Sequence, residues 1–383
     1  MKWIITIPAI LLFALAGCGK DKQSTNELIT VDVTVSYPKK ELILQDFMDV
    51  EYIPLETKDD FICQGLVLAI GKDIILARNR IRDGDIFIYD RKTGKGLKKI
   101  NREGQGGEEY TFIQRIVLDE KQNEIFVLDH FSRKISVYDL DGNFKRSLKR
   151  GDELYFFHLY NFNQTSLITN NYWVTDKPAF TIISKQDGTT KQIQIPFKEK
   201  ISMAVNYSDK AKDIYYNVIP DNYNPIIPYF DCWVLVEQSS DTVYKYQSDH
   251  KMIPIIARTP SVQSMNPEVF LFLGILTNRY YFMETVKKEY NFETHEGFPT
   301  TDLLYDKQEK AIFEYIVYNN DYSEKRAVNM KSLPVDDKIA SWQSIEDYEK
   351  GKLKGRLKEI AASLDEESNP VIMLIKHKKQ TNP

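Results

Sequence analysis

A three-part unit repeats along this chain: a short apolar strand ending in Asp, a polar turn, a second strand ending in Tyr-Asp or similar, a Gly turn, and a third strand. It is clearest from Ile125 to Leu148. There Ile125-Phe126-Val127-Leu128-Asp129 is followed by Lys134-Ile135-Ser136-Val137-Tyr138-Asp139 and, after Asp141-Gly142, by a third run. Asp-Gly between alternating runs marks a tight hairpin. An earlier copy runs from Ile74 to Ile100 with Thr93-Gly94 at its turn. Weaker copies cover Leu167 to Ile195 with Asp187-Gly188, Trp233 to Tyr246, and Tyr280 to Asp306. Equivalent strands lie about 45–50 residues apart at first and about 60 later, and a period of 40–50 residues holding four strands is a propeller blade. Five such units plus an isolated C-terminal strand give an all-β, six-bladed β-propeller, with the extra length of the later copies placed in loops. The 23 Tyr and 20 Phe suit sheet better than helix.

One segment breaks the β pattern. Residues 344–363 carry Ile345, Tyr348, Leu353, Leu357 and Ile360 at a roughly helical spacing, opened by a capping-box-like Ser344 and Asp347. This predicts a helix packed outside the ring, stopped by Asn369-Pro370. Residues 371–376 then read as a last strand. A propeller closes by pairing strands from both termini, so 371–376 and Val50–Leu55 are the natural partners in one mixed blade.

The N-terminus gives an address. Lys2 precedes an apolar run from Trp3 to Leu15, about half the roughly 20 residues that span a bilayer. Leu15-Ala16-Gly17-Cys18 ends it. The expected division is a signal peptide over 1–17, a polar tether over 18–28 beginning at the lipid-bearing Cys18, and one propeller domain over 29–383. The expected location is the cell envelope, anchored through lipid to the outer membrane, with the side it faces left open. Net charge is −4 with 51 basic and 55 acidic residues, which gives no support to a nucleic-acid partner. Cys63 and Cys232 could form one disulfide in an oxidising compartment, but two buried thiols are the favoured reading, because a fold this large needs no disulfide.

These features resemble the six-bladed β-propeller lipoproteins of Gram-negative bacteria, relatives of the NHL-repeat propellers. The residues that carry the resemblance are the Leu15–Cys18 lipobox, Tyr52-Ile53-Pro54-Leu55-Glu56-Thr57, Gly104-Gln105-Gly106-Gly107-Glu108-Glu109-Tyr110, the unit Ile113–Leu148, and the helix followed by Asn369-Pro370-Val371. The family often has Gly-x-Gly-Pro-Gly-Glu-Tyr where this chain has Gly-Gln-Gly-Gly-Glu-Glu-Tyr. The resemblance implies fold and location, not a ligand.

Local catalytic motifs are missing from the sequence. Glu108-Glu109 after the Gly-rich stretch would repel phosphate, so that stretch reads as a turn needing positive φ. Asp139 to Arg150 lacks the twelfth-position Glu of a calcium loop. The five His have no metal spacing, and Asp129 beside His130 reads as a turn cap rather than a catalytic partner. Neither a metal nor another cofactor is expected. The segment with binding character is Tyr215 to Trp233, rich in Tyr, Asn and Pro and without basic residues. Tyr215, Tyr216, Tyr223, Tyr229 and Trp233 are the candidate ligand contacts, because flat rings stack while Asn bonds to hydroxyls or main chain. They serve equally to fill the gap between blades. Two functions stand open. One is a binding or scaffolding module for a glycan or an envelope protein. The other is an enzyme, a hydrolase or lyase on polysaccharide or a small ester, with its site at the axis.

Overall fold

The computed structural model describes residues 28–80, 83–149, 156–171, 179–221, 223–331, 334–335, 338–343 and 350–378. Cys18 and the capping pair Ser344 and Asp347 lie outside the described residues.

Alternating apolar runs joined by tight turns give antiparallel sheets in chain order. Blade 1 comprises Leu66–Ile70, Ile74–Arg78, Asp85–Asp90 and Gly96–Asn101; blade 2, Ile113–Asp119, Glu124–Asp129, Lys134–Asp139 and Phe144–Lys149. Blade 3 comprises Phe156–Asn161, Ser166–Asn171, Phe180–Ser184 and Thr190–Ile193. Blade 4 holds Ile226–Tyr229, Cys232–Leu235, Thr242–Gln247 and Met252–Thr259; blade 5, Val269–Leu276, Tyr280–Lys287, Thr300–Asp306 and Ala311–Asn319. Blade 6 is built from both ends of the chain: Pro334–Val335, Lys338–Gln343, Val371–His377 and, outermost, Met48–Pro54.

Within each blade the first strand runs from one face of the disk, here the upper face, to the lower face. The second returns, as the pairing of Ile113 with Asp129 and of Val269 with Lys287 shows. First strands of neighbouring blades meet around the axis, for example Leu66–Ile70 with Ile113–Asp119. Core clusters lie between blades: Ile86, Ile88, Ile116 and Val127 between blades 1 and 2, and Val234, Ile256, Leu273 and Met283 between blades 4 and 5.

The N-terminal chain does more than close blade 6. Ile29–Asp32 adds in parallel to Met252–Thr259 on the rim of blade 4, and Lys39–Ile43 adds in parallel to Ala311–Asn319 on the rim of blade 5. It then becomes the outer strand of blade 6, so it covers three successive sheet edges that would otherwise be open to pairing.

Turn chemistry follows the repeat. Asp139 Oδ1 accepts the N–H of Asp141 and of Asn143, each at 2.9 Å, and Gly142 takes φ +84°. Asp90 caps Thr93 N at 2.8 Å with Gly94 at φ +71°, where a Cβ would strike the carbonyl of Pro54. The Gly-rich stretch departs from expectation. None of Gly104, Gly106 and Gly107 has positive φ. Glu109 folds back over Gly104 to accept Gly106 N at 2.7 Å, so a Cβ at Gly104 would displace the Glu109 carboxylate.

From Lys350 onward the helix is shorter than its periodicity. Lys350–Lys352 is a 3-10 turn, Lys354 is extended, and the α-helix runs only Gly355–Ala362. Gly351 and Gly355 break the predicted run, since Gly is the poorest helix former after Pro. Its Leu357, Ile360 and Ala361 pack on Tyr322 and Val371 at the upper edge of blade 6. Cys63 and Cys232 are free, buried thiols.

Candidate functional site

Two insertions rise from the upper face. The link from blade 3 to blade 4 carries the hairpin Val205–Asp209 with Ile214–Val218, and blade 5 carries Tyr290–Asn291 with Glu296–Gly297 between its second and third strands. These account for the stretched spacing of the later blades.

The two hairpins meet through rings. Tyr207 and Tyr216 are direct cross-strand partners, so period-2 alternation places both on one face. Phe292 lies 5.3 Å from Tyr207 and 6.0 Å from Tyr216, with planes within 32° of both, and Tyr290 stands edge-on to Phe292 at 4.9 Å. Alternation sends Asn206, Ser208, Tyr215 and Asn217 to the opposite face, where all are exposed. Tyr215 is 66% exposed. Asn206 Oδ1 accepts the Tyr215 hydroxyl at 3.1 Å and Asn217 Nδ2 at 2.7 Å, which fixes the ring beside a row of amides. This face carries hydroxyls, amides and one ring, and no charge.

The five sequence candidates do not form one loop. Tyr215 and Tyr216 stand on the hairpin, on opposite faces of it. Tyr223 lies at the upper end of blade 4, its hydroxyl 2.8 Å from Val236 O and 2.9 Å from Gln238 Oε1, its ring 4.9 Å from Phe272. Tyr229 lies at the lower end of the same inner strand. Its hydroxyl is 3.1 Å from Lys307 Nζ, and burial raises its pKa well above the usual phenol range. Trp233, 9% exposed, packs on Tyr160 between blades 3 and 4. Sequence reasoning passed over Tyr207 and Phe292. Tyr207 belongs to a Tyr-rich pair of alternating runs, Val205–Asp209 and Ile214–Val218, whose period was the available signal.

Below the hairpins the upper face is polar but filled. Glu237, buried, receives Lys200 Nζ at 2.7 Å, and Glu284 receives Lys331 Nζ at 2.5 Å. His158 is 4% exposed and held by Asn170 Oδ1 at 3.0 Å; burial first and Arg115 second push it down to about 3. A cavity of about 20 Å³ between Asn170, Lys200, Tyr223 and Glu237 is the size of one water.

A concavity of about 410 Å³ opens on the lower face at the axis mouth, against the first turns of blades 1, 2 and 3. Its acids already have partners. Asp119 receives Lys185 Nζ at 2.5 Å, and Glu120 accepts the backbone N–H of Lys72 and Asp73 at 2.6 and 2.9 Å. On the upper face, Asp129 is engaged as a cap for Thr111, Phe131 and Ser132. Among the described residues no three His, Cys, Asp or Glu side chains converge as a metal site requires, and no helix is long and apolar enough to cross a membrane.

The 6-bladed beta-propeller family DUF5128 matches residues 19–340. The chain belongs to that family. No curated protein matches this DUF5128 propeller in sequence. Among solved structures, a Bacteroides fragilis protein described as exported aligns with a TM-score of 0.61 at 15% identity, over 92% of this chain and 100% of that one. A Bacteroides vulgatus member of the DUF4221 family gives a TM-score of 0.46 at 11% identity, over 87% of this chain and 97% of that one. Virginiamycin B lyase from Staphylococcus aureus gives 0.33 at 8% identity, over 71% and 94%. The first shares the fold with the DUF5128 propeller, and none of the three lends it a chemistry.

Proposed function

We propose that this propeller is a binding module of the cell envelope, anchored through lipid on Cys18, that holds a neutral glycan on the upper-face hairpins. The observation that carries this reading is the uncharged row of Asn206, Ser208, Tyr215 and Asn217 on a hairpin braced by Tyr207, Tyr216 and Phe292. A ring held rigid beside amides suits a sugar, whose apolar face stacks while its hydroxyls bond to the amides. Orientation agrees with an anchor. Ile29–Asp32 runs towards the upper face, so the chain enters from the lower side and the hairpins point away from it.

The axis-mouth concavity favours a second reading, an enzyme acting there. Its acidic side chains are held in ion pairs and turn caps, which supports the binding role over the catalytic one. The test is to present the mature, detergent-solubilised protein to arrayed polysaccharides and to follow both retention and product release. Retention should fall about tenfold in Tyr215→Ala/Asn217→Ala with an unchanged melting temperature. Retention equal to wild type would refute the hairpin site, and release of oligosaccharide would favour the enzyme. Cys18→Ala should move the protein to the soluble fraction; continued membrane retention would refute the anchor.

A further inference from the structure

The lower face between blades 4 and 5 holds a cation whose hydrogen-bond partners are neutral. Lys307 Nζ donates to Tyr229 Oη and to the carbonyl of Thr277, both at 3.1 Å, and lies 4.6 Å from the centre of the Tyr281 ring. Neither Lys307 nor its neighbour Lys245 forms an ion pair among the described residues. The nearest acid in sequence, Asp306, faces away and is held by Lys40 and Arg279, each at 2.8 Å. Burial, reinforced by Lys245, lowers the Lys307 ammonium to about 8, so it remains largely charged at neutral pH.

Donor counting sharpens the point. An ammonium has three N–H groups and two are used. Tyr229 and Tyr281 hydroxyls are 3.4 Å apart and share one hydrogen bond, so one phenolic proton has no acceptor among the described residues. Two unused donors, one of them on the ammonium, therefore sit side by side, walled by the Tyr229 and Tyr281 rings and by the exposed Phe230 at 4.8 Å from Tyr229.

We propose that Lys307, Tyr229 and Tyr281 form a seat for a carboxylate carried by a ligand of the envelope. A carboxylate is planar and singly charged, takes two donors from one side, and forms its stronger hydrogen bonds to an ammonium. The seat is on the face opposite the hairpins and does not depend on the glycan reading.

The experiment is calorimetric titration of the mature protein with galacturonate and with N-acetylglutamate, which distinguishes a sugar source from a peptide source. Binding of either supports the seat. Lys307→Met should weaken it about tenfold or more, and Tyr229→Phe, which keeps the ring and removes only the hydroxyl, should weaken it several-fold. Tyr215→Ala should leave it unchanged. No heat with either carboxylate up to about 10 mM, unchanged affinity in a folded Lys307→Met, or equally tight binding of inorganic phosphate would each overturn the assignment.

Discussion

Single side chains in this propeller are placed by which partner each can reach, and His158 shows the consequence most directly. Its imidazole is buried, with Arg115 near it and Asn170 bonded to it, and the burial holds it neutral down to about pH 3 against an ordinary value of 6.5. The unfolded chain therefore takes up a proton first as pH falls, and stability is lost from about pH 6.5 downward, by at most about 1.4 kcal/mol per pH unit. Carboxylates held low by partners, such as Glu124 at about 2 beside Arg146, act only further into acid. Urea titrations at pH 7, 6 and 5 should show this slope in the wild type and a flatter one in His158→Gln. Equal slopes in both would refute the assignment to His158. The Asp residues that end strands were readable in the sequence for the same reason of reach: a short carboxylate after a strand caps its own turn, as at Asp90, Asp129 and Asp139.

At the scale of elements, Asn369 shows why the Asn369-Pro370-Val371 stretch has the form it does. Its side chain, 5% exposed, accepts Cys63 N at 2.9 Å and donates to Glu56 O at 2.7 Å and to Phe61 O. One amide thereby fastens the start of the C-terminal strand to the segment that leads from blade 6 into blade 1. Asn369→Ala should cost about 2–4 kcal/mol, since it orphans an N–H and two carbonyls at about 1–3 kcal/mol for each buried unsatisfied group, with partial relief by solvent. Asn369→Asp should cost more, because it turns a carboxylate oxygen on two carbonyls. A smaller loss for Asp than for Ala, by guanidinium unfolding, would refute this staple. What the sequence concealed at this scale has physical causes. Ile226–Tyr229 is an inner strand, yet Pro228 argues against a strand. It is tolerated because a blade's first strand is hydrogen-bonded on one side only. The segment from Tyr215 to Trp233 therefore runs from the link hairpin through the whole first strand of blade 4. Ile29–Asp32 and Lys39–Ile43 are parallel rim strands whose partners lie more than two hundred residues away, which leaves no local turn to announce them.

The whole molecule is a ring, so its stability depends on a join between residues far apart in sequence. Val371–His377 is bonded on one side to Lys338–Gln343 and on the other to Met48–Pro54, and Val371 to Ile375 are all buried. Fully burying an aliphatic side chain stabilises by about 1.5–3 kcal/mol, so these five amount to roughly 10 kcal/mol. That is comparable with the whole stability of a typical domain, about 5–15 kcal/mol. Deleting 369–383 removes that strand and the Asn369 staple together. It strips Met48–Pro54 of its only sheet partner among the described residues and opens an edge on Lys338–Gln343. The truncated chain should show no cooperative thermal transition and should aggregate through those edges. Deleting only residues 28–37 uncovers the rim of blade 4 but leaves every blade with its four antiparallel strands. That variant should still melt cooperatively, several degrees lower. Calorimetry on both separates two kinds of closure. A 369–383 deletion that melts within a few degrees of the full chain would mean that the ring is held by the blade-to-blade cores alone and that the terminal strand only covers an edge.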